Sequence, residues 1–217
     1  MNDYRAPLRR VGIVLILIGM VDIIYMIYAL LNDQSYSSWL NILAVIAGGF
    51  LLRGKPAAVP IVTCCSAFAI ASFVSTIVLY PFLRPLELWA IQFRLEPVSL
   101  SVSLLMKLAV IILLCWVYKQ LWQTSVVSAS RKAGHGVSVP RVAFILGALY
   151  TILPFGVINA MRNSAGASNA LKLARTQYGN EYKYHLTGMD WSEKQVRASF
   201  TAYNEQEIKL VQVEWQR

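Results

Sequence analysis

Charge is what this sequence has least of. Only 14% of its 217 residues are Asp, Glu, Lys or Arg, against about 25% in ordinary soluble domains. With 57% hydrophobic residues and a mean hydropathy of +0.51, that deficit argues against a water-soluble globule and predicts an integral membrane protein. Cysteine is scarce too. Cys64, Cys65 and Cys115 all fall in apolar runs and read as small buried hydrophobes, and adjacent Cys64 and Cys65 are poor disulfide partners. The two histidines, His135 and His185, lie far apart. A metal centre needs several ligands close together, so no metal or cofactor is expected. The sequence has no HExxH, Walker A loop, GxSxG elbow or Rossmann glycine set. No nucleophile–base set is visible, so no catalytic residue and no enzymatic activity are expected. Internal repeats and low-complexity tracts are missing as well.

The net charge of +9 would fit nucleic acid if the cations formed one dense patch. They flank apolar runs instead, which excludes nucleic acid as a partner and points to membrane lipid. The first run, Val11–Leu31, matches a bilayer crossing as a helix at about 1.5 Å per residue. It is too long for a typical signal-peptide core and no A-x-A-like site follows it, so it reads as a retained anchor. Four more apolar segments follow, giving expected helices over 11–31, 37–53, 57–82, 98–118 and 142–161. In the second, only 39–52 is apolar, with Trp39 and Arg53 as interface anchors and a turn over 32–38 before it. In the fifth, Pro154 and Gly156 predict a kink. Residues 84–97 read as an interfacial connector anchored by Trp89, and 119–141 as a polar loop.

Odd-numbered connections carry Arg5, Arg9, Arg10, Arg53, Lys55, Lys119, Arg131, Lys132 and Arg141; the opposite short loops carry only Arg84 and Arg94. This asymmetry predicts a multi-pass protein of a bacterial-type inner (plasma) membrane, N-terminus cytoplasmic and C-terminus extracytoplasmic. Among these connections, the loop 119–141, with five basic residues counting both ends, reads as a solvated face beside anionic lipid.

The tail, 162–217, differs in kind. Ser168 is an N-cap candidate and Gly179 a stop, with Ala170, Leu171, Ala174 and Tyr178 on one helical face. Three alternating segments then predict a three-stranded antiparallel meander, with a bulge near Leu210–Val211. The fold class is thus an all-α bundle of five transmembrane helices (1–161) plus a small α+β domain (162–217).

Three residue sets stand out. Asp22 and Lys107 fall at matched depth in the first and fourth expected helices, an intramembrane polar pair whose partners would fix helix contacts. Small residues on one helical face mark helix-packing surfaces: Gly12 and Gly19, seven apart, and the four-residue pairs Ala44 and Gly48, Ala67 and Ala71, Ala143 and Gly147. In the tail, Tyr182, Tyr184, Trp191, Tyr203 and Trp215 are candidate partner-binding aromatics. The leading expectation is an accessory, assembly or scaffold protein whose outward tail binds a protein partner or forms a homo-oligomer. The alternative is a small proton- or ion-coupled transporter or channel using Asp22 and Lys107.

Overall fold

A computed structural model describes residues 4–32, 41–136, 138–192 and 194–216. The expected turn over 32–38 (past Asn32), the Trp39 anchor and the start of the second helix at 37 lie outside these. The chain is mostly helical: α1 (Arg5–Leu31), α2 (Asn41–Leu52), α3 (Ala58–Leu83), α4 (Leu86–Leu95), α5 (Pro97–Leu121), α6 (Thr124–Lys132), α7 (Arg141–Arg162) and α8 (Ala165–Tyr178), then strands β1 (Lys183–Trp191), β2 (Gln195–Tyr203) and β3 (Ile208–Gln216). By length and composition α1, α3, α5 and α7 could each cross a membrane. Five such helices were expected. The described part of α2 has twelve residues, about 18 Å at 1.5 Å per residue, which is shorter than the hydrocarbon core of about 30 Å.

Several boundaries move outward. α1 starts at Arg5, because Pro7 is tolerated in a first turn and Leu8 is fully buried there. α7 continues through Pro154 to Arg162. The 84–97 connector contains the ten-residue α4, whose Leu88 and Ile91 are buried three positions apart, one helical step on one face. The 119–141 loop holds the end of α5 and the amphipathic α6, which buries Val126 and Ser130.

Two compact units emerge, and their boundaries fall inside α3, α5 and α7: one comprises 1–71 and 110–147, the other 72–109 and 148–217. In the first, Leu8, Val11, Leu15, Leu51, Ala58, Val59, Val62, Val117, Leu121 and Val126 form one buried cluster. It ties the start of α1 to the end of α2, the start of α3 and the end of α5. α1 and α2 are antiparallel: a Cβ on Gly12 would meet Leu52, and one on Gly48 would meet Ile16. The chain leaves this cluster along α1 and returns to it along α2.

In the second unit the three strands pair in order β1-β2-β3, all antiparallel. The β2–β3 register runs unbroken from Gln195↔Gln216 to Tyr203↔Ile208, so the expected bulge at Leu210–Val211 is absent. The irregularity lies in β1, where Thr187 is extra between Leu186 and Gly188; its Oγ1 donates to Ser199 O at 2.9 Å. The broken hydrophobic alternation in β3 has another cause. Leu210 faces outward and is 83% exposed.

α8 lies on one sheet face through Ala167, Ala170 and Ala174, whose small side chains let it pack on Leu186, Phe200, Val211 and Val213. Its N-cap is Ser164, not Ser168: Ser164 Oγ accepts from Ala167 N at 3.2 Å. Ser168 is already inside the helix, its hydroxyl donating to Ala165 O. Gly179 ends the helix at φ 92° and ψ 170°, a conformation essentially reserved for glycine. The other sheet face meets α4, where Tyr203 and Ile208 pack on Leu88 and Ile91.

Candidate functional site

The tail carries a concavity of about 560 Å³ between α8 and β1, lined by Leu171, Arg175, Asn180, Tyr182, Lys183 and Tyr184. Gly179 creates it by reversing the chain, so that Asn180 and the first residues of β1 come back beside the last turns of α8. Tyr184 donates to Gly179 O at 2.7 Å and sets its ring edge-on to Phe200. Burial first, then the neighbouring Tyr182, hold its phenol above the usual range. Tyr182 donates to Glu207 and accepts from Lys209 at 3.2 Å. Lys209, with Tyr182 second, keeps Glu207 below the usual carboxylate range. Both aromatic rings are thereby fixed by polar contacts at their tips. Arg175, in the last turn of α8, is exposed on the rim. The site thus offers aromatic faces beside two cations and an amide.

A second polar arrangement secures this domain. Arg162, the last residue of α7, donates through Nε to Leu186 O at 3.0 Å and through Nη2 to Leu83 O at 3.0 Å. The same Nη2 lies 2.8 Å from His185 Nε2. A guanidinium only donates, so this contact requires Nε2 to accept, as it does in the tautomer protonated on Nδ1. A proton on Nε2 would bond Leu83 O, 3.0 Å away, but would face the guanidinium. Burial, then Arg162, push His185 below its ordinary value; the Leu83 carbonyl acts the other way and Arg84 adds to the lowering. Lys183 pairs with Glu87 of α4, and Arg94 donates to Glu205 O.

The sequence-derived candidates divide among these surroundings. Tyr182 and Tyr184 line the concavity. Trp191 is 52% exposed at the end of β1. Trp215 packs half-buried on the α8-side core. Tyr203 is 5% exposed and faces α4 of its own chain, so it presents nothing to a partner. Gly12 and Gly48 face each other: a Cβ on either would lie 2.8 or 2.7 Å from the other's carbonyl oxygen. A Cβ on Gly147 would overlap Phe68 O and meet Ala71 Cβ. Ala67 and Gly19 are buried; Ala44 and Ala143 are half-buried. Asp22 is half-buried on α1. Lys107 places its ammonium 4.4 Å from the Tyr80 ring centroid, and Tyr80 in turn meets Trp89 edge-on at 4.4 Å. Trp89, expected as a headgroup anchor, has its indole N–H buried and without a hydrogen-bond partner. Among the described residues no three His, Cys, Asp or Glu gather as a metal site would require.

Sequence reasoning missed Arg162, Arg175 and Asn180. The signal for the first was a lone arginine closing an apolar helix; for the others, their position around the Gly179 stop. Comparison of the chain with protein-family models, with curated proteins and with solved structures finds no match.

Proposed function

We propose that this chain is a five-crossing protein of an inner (plasma) membrane, N-terminus cytoplasmic and tail extracytoplasmic, and that it serves as an accessory, assembly or scaffold component. Its tail engages a protein partner or a second copy. The crossing count rests on the α1–α2 pair. If α1 crosses, a chain that rejoins the start of α1 at the start of α3 crosses back in between, so the stretch 37–53 is the second crossing. The orientation rests on the cation asymmetry of the loops.

The observation behind the binding role is the concavity itself: two tyrosines with tethered hydroxyls, flanked by Arg175 and Asn180, on a domain held by Arg162. A rigid aromatic and cationic lining costs little conformational entropy to bind with. The test is site-specific photo-crosslinking in native membranes, with the reactive residue at Arg175 or, as a control away from the concavity, at Gln216. A discrete adduct from position 175, suppressed by Tyr184→Ala, supports the reading. Adducts of equal yield from both positions, or none from 175, contradict it.

A further inference from the structure

The unit formed by 1–71 and 110–147 carries nine Lys and Arg, and Asp22 is the single carboxylate among its described residues. Three distant stretches bring cations together. The turn after α2 bends at Gly54, φ 65°, between Arg53 and Lys55. A Cβ on Gly54 would lie 3.9 Å from Arg5 Cγ and Nε, so the start of α1 runs alongside this turn. The end of α6 is pinned to it as well, because the fully buried Ser130 places Oγ 3.2 Å from Pro56 O. Ser130 immediately precedes Arg131 and Lys132. Arg5, Arg53, Lys55, Arg131 and Lys132 are all exposed and sit over the buried cluster of Leu8, Leu51, Val59 and Val126. The charges are therefore preorganised on a packed base.

What lies beside them is apolar. Ile13, Phe50 and Leu52 are exposed, and Lys55 Nζ rests 5.4 Å from the Phe50 ring centroid, a cation lying along an apolar flank. A phosphate ion would use the cations alone. An anionic headgroup carrying acyl chains would use both surfaces. We propose that the cationic turn Arg53–Lys55, with Arg5 and the end of α6, is a binding site for an anionic glycerophospholipid. This goes beyond the tail's proposed role and does not depend on it.

The test uses full-length protein in mild detergent, delipidated and then offered phosphatidylglycerol or phosphatidylcholine, with retained lipid counted by native mass spectrometry. Phosphatidylglycerol should be retained preferentially. Each cation beside an anionic headgroup contributes roughly fivefold, so Arg53→Gln/Lys55→Gln/Lys132→Gln should lower phosphatidylglycerol retention by at least about tenfold and leave phosphatidylcholine unchanged. A control that removes two cations of the tail, Lys172→Gln/Lys194→Gln, should behave as wild type. Should the triple variant fail to fold, wild type in 0.5 M salt, where the screening length is about 4 Å, must lose the preference. Equal retention of the two lipids, equal loss in both variants, a preference that survives high salt, or displacement of the lipid by millimolar glycerol phosphate would each overturn the proposal; the last would leave a simple phosphate site.

Discussion

In the unit containing α1 and α2, backbone lies against backbone: Gly12 and Gly48 leave no room for a Cβ, and Gly147 meets the Phe68 carbonyl. In the unit containing the tail, apolar packing on both sheet faces is joined by long polar side chains that reach between segments distant in sequence, with Arg162 holding Leu83 and Leu186 and Lys183 pairing at the surface with Glu87. The contrast follows from composition. Inside an apolar medium helices gain little from burying more apolar surface, so they associate by close packing of small residues. A tail of 56 residues, 162–217, is near the size at which a lone core is marginal, and it gains by docking on α4. One kind of contact should fail when volume is added, the other when charge or protonation changes.

The largest effect should come from adding volume between the helices. In Gly48→Leu the new side chain meets Gly12 O, a backbone atom that cannot rotate away, so roughly 3 kcal/mol is lost, the upper end of the usual overpacking range. Gly49→Ala, one residue on and with nothing within 4 Å, should be close to neutral. Thermal unfolding in nanodiscs compares them; similar losses for both would remove the close-packing account.

Next in size is Arg162→Ala. Two backbone acceptors lose a charged donor, costing about 2 kcal/mol, read as faster hydrogen exchange along β1 while α1 and α2 keep their protection. Loss of protection in both units alike would mean that Arg162 is not a local clamp.

The pH response should be smaller and confined to the tail. His185 is held below its ordinary value, so the folded state binds fewer protons than the unfolded one. Its stabilising effect is complete above the unfolded value of about 6.5 and is lost as pH falls through the lower folded value. Protection along β1, corrected for the intrinsic pH dependence of amide exchange, should therefore fall on acidification in wild type and stay flat in His185→Asn. An equal acid response in that variant would assign the effect to another group.

The smallest effect belongs to the exposed pair Arg197–Glu214, 2.5 Å apart on the sheet surface. Arg197→Met should change stability by no more than about 0.5 kcal/mol, measured by the same melt.

What could be read from the chain follows the range of each signal. Long apolar runs announce α1, α3, α5 and α7 because a bilayer imposes a length. Period-two alternation and Gly179 announce the tail's helix and strands. α4 and α6 were hidden, since each shows only two buried positions and ten or fewer residues, too short for a periodic pattern to rise above its polar neighbours. Ser168 reads as the cap because it precedes alanine-rich sequence, but Ser164 does so as well, and only the Ala167 N–H, which bonds Ser164 Oγ, identifies the true cap. Arg162, Leu83 and His185 meet across 79 and 23 positions, and no local pattern encodes such a meeting. Tyr203 looked like one more tail aromatic because nothing in β2 reveals that α4 covers it.

The central claim is that the chain crosses back between α1 and α3. It is tested most directly by single-cysteine labelling in intact and opened cells, after Cys64, Cys65 and Cys115 are replaced by Ala, with probes at Arg5, Gly54 and Gln206. The account predicts that positions 5 and 54 react only after opening and that 206 reacts in intact cells. Positions 5 and 206 labelling from one side, with 54 on the other, would contradict it.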